Sequence, residues 1–354
     1  MSEIIPLFRP SCTDAEISAV TDVLRSGWWG MGPKTAEFEV AFAARVGARH
    51  AVAVNSCTAA LQLACEAMGV AGGTVIMPAL TFASTALAVM HAGGLPVFAD
   101  VDPVSLCVDW RDVARKTTVH TRAVIPVWYG GMVTGAATAL PVIEDCAHAC
   151  GSVGAGEQGQ VACWSFQAVK NLATGDGGMI TTNDGELAAK LRRLRWCGID
   201  RSTWDRDQGR YGWEYDIREP GHKMHMNDLT AALGLAQLER LDEMNEARRL
   251  RVRQYLEAFK DTAWMQLPAY WEGSSWHLFC VRVAGRDRFV SHMTSAGVSA
   301  GVHYKPLNTY PLFDTSPLPV TDRVWREIVT LPLYPDMTDA DLARVVETAK
   351  AFRP

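Results

Sequence analysis

Short runs that are apolar at nearly every position recur through the first half of this chain, with helical patterns between them. They are Ala51-Val52-Ala53-Val54, Val75-Ile76-Met77-Pro78, Pro96-Val97-Phe98-Ala99 leading to Asp102, Ala123-Val124-Ile125-Pro126-Val127 and Val142-Ile143-Glu144-Asp145. A strand with one wet face alternates apolar and polar residues, whereas a strand apolar throughout is covered on both faces. Such strands alternating with helices predict a mainly parallel sheet sandwiched between helices, with ligands gathered at the carboxyl ends of the strands. The intervening helices are expected over 13–26, opened by Thr13-Asp14 with Ile17, Val20, Val23 and Leu24 on one face, then from Thr35 to about Val46 and from Ala59 to Met68. A further strand, Met179-Ile180-Thr181-Thr182, precedes a helix from Gly185 to about Trp196. Residues 198–222 lack periodicity and read as an excursion over the surface. The pattern from Asn227, with Ala231, Ala232, Leu235, Leu238 and Leu241 at helical spacing, predicts one long helix running toward Phe259. A change of domain is expected inside it, giving a large domain over 1–240 with the N-terminal segment and a smaller α/β domain over 241–354.

Composition narrows the function. The chain is 48% apolar and 21% charged with a formal net charge of -5, which is ordinary for a globular protein and gives no basic footprint for nucleic acid. Nine cysteines, an odd number with no C-x-x-C pair, signal neither a disulfide framework nor a metal site. No stretch of 18 apolar residues and no leader pattern is seen, so no membrane partner and a cytoplasmic location are expected.

Three places carry chemistry. Lys170 lies among Cys163, Trp164, Phe166, Ala168 and Val169, just before the glycine-rich Gly175-Asp176-Gly177-Gly178. Burial would lower its pKa and favour the nucleophilic amine, although most lysines are solvated surface groups. Glu144 and Asp145 end an apolar strand, where paired carboxylates need a cation or donors to meet them; they serve equally well as caps of the following turn. A lysine can form an imine with an aldehyde and an aspartate can keep a pyridine nitrogen protonated, so the two together suggest pyridoxal 5'-phosphate (PLP). His148 fits either the edge of such a ring or a polar corner. The third place is the turn Asn55-Ser56-Cys57-Thr58 between strand and helix, which suits an anion, although Ser56 and Thr58 are also ordinary helix caps. Trp28-Trp29-Gly30-Met31-Gly32-Pro33 reads as a loop that either stacks on a ring or packs beneath its neighbours.

In this order the motifs resemble the DegT/DnrJ/StrS sugar aminotransferases. The resemblance runs through Gly27-Trp28, Gly32-Pro33, Asn55 to Leu61, Pro78 to Thr85, Ile143 to Gly151, Ser165 to Gly178, Met226-Asn227-Asp228, Trp276-His277-Leu278-Phe279 and His303-Tyr304. It implies the type I fold of PLP-dependent transferases, with a mainly parallel seven-stranded sheet. It also implies that Lys170 is the Schiff-base lysine and proton carrier and that Asp145 pairs with the pyridinium nitrogen. Phe82 would stack on the ring, His148 would lie at its edge, and Ser56, Cys57, Thr58 and Ser165 would surround the phosphate. The family resemblance further implies a homodimer in which loop 28–33 and residues 221–225 reach into the partner's site.

Three departures from the family pattern bear on the site. Cys57 replaces the usual glycine of S-G-T; Lys223 replaces a common asparagine and would bring positive charge to the partner's phosphate; Val127-Trp128-Tyr129-Gly130 replaces V-H-x-x-G. Related sugar dehydratases carry histidine where this chain has Lys170, which favours transamination. The expected reaction moves an amino group from an amino acid, glutamate first, to a keto group of a nucleotide-linked deoxysugar. Its alternatives are a lyase or dehydratase, an aminotransferase with another acceptor, and a regulator without catalysis. Substrate contacts are expected among Trp28, Trp29, Trp128, Tyr129, Trp276, His277, His303, Tyr304 and Lys305.

Overall fold

The computed structural model describes residues 4–201, 204, 206, 212–313 and 315–353. Part of the excursion expected over 198–222 therefore lies outside the described residues. The first helix, α1 (Asp14–Ser26), starts where Thr13 and Glu16 form a capping box and stops at Gly27, whose φ of 76° is the left-handed conformation that glycine adopts without strain. A second, α2 (Pro33–Val46), starts with Pro33 in its first turn, where the missing N–H costs nothing.

Three strand–helix steps follow: β1 (His50–Val54) to α3 (Cys57–Ala67), β2 (Thr74–Pro78) to α4 (Ser84–His91), β3 (Leu95–Ala99) to α5 (Trp110–Lys116); then β4 (Thr121–Val124) and β5 (Ile143–Asp145) are joined without a regular α-helix. Next come β6 (Val161–Ser165), β7 (Gly178–Thr182) and α6 (Gly185–Leu194). Strands pair in the orders β3-β2-β4 and β1-β7-β6-β5, and parallel bridges Val124–Val142 and Val127–Asp145 join the two groups. The result is a mixed sheet of mostly parallel strands, with β7 antiparallel to both β1 and β6. β5, β6 and β7 are buried at every position, as strands covered on both faces must be.

The long helix expected from Asn227 is two helices, Asp228–Glu239 and Leu241–Phe259, meeting at Arg240. Arg240 leaves helical geometry with ψ near 0°, and its guanidinium reaches Glu16 Oε1 at 2.8 Å and Ser11 Oγ at 3.0 Å. The break sends the two helices to different cores: the first packs on α1 and α2, and the second contributes Val252, Tyr255 and Phe259 to a cluster with Phe279, Phe289 and Val329. That cluster covers the antiparallel sheet of β8 (Met265–Gln266), β9 (Phe279–Val283) and β10 (Ile328–Leu331). Ile5 joins it, its N–H donating to Gly297 O at 3.0 Å, so the N-terminal segment crosses to the C-terminal core and carries Phe8 past the mouth of the main cavity. No helix among the described residues is long and apolar enough to cross a membrane.

Candidate active site

The carboxyl ends of β1, β2, β5 and β6 open on one cavity of about 450 Å³, and antiparallel β7 brings its first residue to the same edge. Each strand delivers a piece of the site through the turn that follows it. After β1, Ser56 caps α3, its Oγ accepting the Ala59 N–H at 3.1 Å, and Cys57 and Thr58 form the first turn. The capping use of Ser56 is thus real, yet Ser56, Cys57 and Thr58 still line the cavity at the start of α3, where the positive end of the helix dipole favours an anion. The turn sits directly on β7: a Cβ added to Gly178 would lie 2.6 Å from the Ser56 carbonyl carbon and 2.8 Å from Cys57 N. Thr58 shares a 2.7 Å hydrogen bond with Ser84.

The loop after β2 supplies Phe82 and Thr85. Phe82 is 60% exposed although it lines the cavity, an apolar ring tilted against Tyr304 at 5.8 Å and otherwise open. Thr85 donates to Asp145 Oδ2 at 2.9 Å and shares a second 2.9 Å bond with Thr81. Asp145, at the end of β5, is buried and receives one further donor, the Ala147 N–H on Oδ1 at 3.1 Å. Burial pushes its carboxyl up; the Ala147 and Thr85 bonds and the charge of Lys170 act against that shift.

Lys170 lies half-buried in the loop after β6, and desolvation pulls its ammonium down to about 8, opposed by the charge of Asp145. Burial also pushes the Cys57 thiol well up, which keeps it protonated at neutral pH. His148 accepts the Gly130 N–H on Nδ1 at 3.3 Å, so its Nε2 carries the hydrogen of the 2.9 Å bond to the Tyr304 oxygen. The Tyr304 hydroxyl hydrogen is left to be donated elsewhere. Burial, with Lys170 and His303 nearby, holds His148 well below the usual imidazole range.

Of the residues expected from sequence, Ser56, Cys57, Thr58, Phe82 and Asp145 line this cavity, as do His148, Ser165, Lys170, His303 and Tyr304. Others do not. Trp128 and Tyr129, expected as substrate contacts, are corrected: Trp128 is fully buried with its Nε1 donating to Glu144 at 2.7 Å, and the buried Tyr129 hydroxyl donates to the His303 carbonyl. The link from β4 to β5 has no α-helix, only a 3-10 turn over Tyr129–Gly131, and both rings are packed inside the protein. Trp28 and Trp29 lie outside the cavity, Trp29 donating to Leu24 O at 3.1 Å. Lys223 stands over the Trp196 ring at 6.0 Å, and the exposed Lys305 stands over Tyr310 at 4.4 Å. Trp276 is buried on Tyr270, while His277 lies behind Lys170. Phe8, Thr81 and Thr85 also line the cavity; Thr85 lies within the legible stretch Thr81-Phe82-Ala83-Ser84-Thr85, whereas Phe8 carries no local sequence signal.

The arrangement has the parts that a pyridine aldehyde phosphate requires. It offers an amine of lowered basicity, a buried carboxylate with one donor on each oxygen and room for a cation, an open aromatic face, and a helix start ringed by hydroxyls. Comparison with known proteins agrees. The model of the DegT/DnrJ/EryC1/StrS aminotransferase family matches residues 10–350. The spore coat polysaccharide biosynthesis protein SpsC of Bacillus subtilis (strain 168) is 38% identical over 99% of this chain and 97% of its own. Among solved structures, the aminotransferase TlmJ from Streptoalloteichus hindustanus superposes with a TM-score of 0.91 at 33% identity, covering 98% of both chains. The PLP form of the putative sugar aminotransferase Spr1654 from Streptococcus pneumoniae gives 0.89 at 30% identity over 98% of each. The chain is an aminotransferase and belongs to the DegT/DnrJ/EryC1/StrS family.

Proposed function

We propose that this enzyme binds PLP through Lys170 and moves an amino group from an amino acid, glutamate first, to a keto group of a nucleotide-linked deoxysugar. The observation that carries the cofactor is the pairing of Asp145 with Lys170 in one cavity: a carboxylate buried with a single donor on each oxygen wants a cation, and a protonated pyridine is one. When bound, PLP supplies the electron sink that lets an amino acid's α-proton leave and its nitrogen be passed on. Asp145 would hold the ring nitrogen protonated. Thr85 and the Ala147 N–H fix the carboxylate's direction. Phe82 would cover one ring face, and the Ser56–Thr58 turn with Ser165 would hold the phosphate. Lys170, poised near neutrality, would take the proton from the donor's Cα and return it on the other side of the reaction.

Among the described residues lining the cavity Lys170 is the sole lysine or arginine, whereas a phosphate and an amino-acid carboxylate together bring about three negative charges. This supports the homodimer reading, with Lys223 and the Trp28-Trp29 loop supplied to the site by a second copy. The sugar acceptor rests on the family and on SpsC and Spr1654; its nucleotide is our inference. We further read the chain as two units divided near residue 240, and as a cytoplasmic protein on its nine unpaired thiols. The test is a half-reaction. PLP-loaded enzyme given glutamate without acceptor should release one equivalent of 2-oxoglutarate per site, and a panel of keto-sugar nucleotides should then discharge it. A lyase would release no stoichiometric keto acid, and that result would overturn the assignment.

A further inference from the structure

His277 is 1% exposed, and its Nε2 lies 3.4 Å from Lys170 Nζ. Its Nδ1 lies 3.2 Å from Asn171 Oδ1. The neighbours decide which ring nitrogen carries hydrogen. The Asn171 amide nitrogen donates at 2.7 Å both to Asn245 Oδ1 and to the Ser275 carbonyl, two groups that only accept, so the Asn171 atom facing His277 is an acceptor. Asn245 is fixed in turn, because its Nδ2 donates to the Cys150 carbonyl at 3.1 Å. An acceptor opposite Nδ1 requires N–H there. The ring is neutral: burial, then Lys170, His148, Arg248 and His303, all hold it well below the usual imidazole range. A neutral imidazole protonated at Nδ1 carries its lone pair on Nε2, the atom that faces Lys170. Phe8 stacks on this ring at 5.5 Å and 6°, which holds its plane.

We propose that His277, held in the Nδ1–H form by the Asn171–Asn245 pair, is a positioning residue that accepts a hydrogen bond from Lys170 and leaves the lysine's own lone pair unshared. The opposite tautomer would donate to the free amine and occupy the pair that a nucleophile needs. The consecutive residues Lys170 and Asn171 thus act on one ring from two sides, the first as its guest and the second as its lock. The use of this device rests on the reading of Lys170 as the amine that holds PLP; the device itself is a property of the cofactor-free protein.

Two measurements on the cofactor-free protein test it. Long-range proton–nitrogen correlation with labelled histidine, assigned by His277→Gln, should show hydrogen on Nδ1 and none on Nε2 at neutral pH; hydrogen on Nε2 overturns the proposal. Trace acetylation across pH, read by mass spectrometry of the Lys170 peptide, should show the wild-type amine half-titrated near 8, with Asp145 and Cys57 the other ionisable groups bearing on it. His277→Phe removes an acceptor from the ammonium and should lower that midpoint by about one pH unit, roughly tenfold in the protonation constant. His277→Gln, whose carbonyl oxygen accepts, should recover most of it. A folded His277→Phe protein with an unmoved midpoint overturns the proposal, and if that variant does not fold the tautomer measurement on the wild type decides. Failure of the PLP reading is distinct: Lys170 would then titrate as described yet take up no PLP.

Discussion

Glu144 and Asp145 are neighbours on one strand, and alternation sends their carboxylates to opposite faces of the sheet. The two faces treat them differently. Glu144, fully buried, receives four N–H donors: Trp128 Nε1 and Gly156 N on one oxygen, Gln158 N and Gly159 N on the other, at 2.7 to 2.9 Å. Asp145 receives two, one per oxygen, and faces a cavity. Burial pushes both carboxyls up, but only Glu144 has its oxygens filled from within the chain. A closed set of donors makes a structural charge, and an open set makes a site.

The largest effect expected from this contrast is on catalysis. Asp145→Asn should cut turnover on the order of 10²–10³-fold, the usual cost of removing one preorganised electrostatic partner from a site. The cofactor-free fold should survive, because the Thr81–Thr85 hydroxyl pair can reverse and accept from the new amide. Its melting temperature should match or exceed the wild type at pH 7. The sign follows from the raised pKa: an acid pushed up by burial costs stability while ionised, the cost stands above the folded pKa and is relieved as pH falls, so the advantage should shrink toward pH 4.

The opposite face should respond in stability. Glu144→Gln would turn an amide NH₂ toward N–H donors and should cost about 3 kcal/mol in urea unfolding, with turnover per folded molecule unchanged. Trp128→Phe removes one of those donors and should cost about 1 kcal/mol with KM for both substrates unchanged; a raised acceptor KM would restore Trp128 to the substrate wall. The smallest change is at the cavity mouth, where Phe82→Leu should weaken PLP roughly fivefold by equilibrium dialysis, about the worth of one aromatic stack.

The sequence exposed this site unevenly. Strand ends are legible because apolar runs mark them, which is why Asp145 and Ser56 stand out, whereas Ser165 entered only through the family resemblance. Which way a side chain points after a strand end was not legible, since one residue's step reverses the face. Trp128 fell to that ambiguity. Contacts between distant segments were silent too: Phe8 reaches the site because Ile5 is anchored in the C-terminal core, and His277 reaches Lys170 from beyond the break at Arg240. The break itself is hidden in the sequence because the apolar spacing continues through it, Leu238 and Leu241 keeping helical register on either side of Arg240.

The contact between Gly178 and the Ser56–Cys57 turn has a consequence for affinity. With no side chain between strand and turn, the backbone that would meet the phosphate rests on the sheet and has nowhere to sink. Its shape is set in the empty protein, so a phosphorylated ligand spends little of its binding energy on ordering the loop that receives it. Two rigid hydrogen-bonded strands thereby do for the anion what an induced fit would otherwise have to do at each encounter.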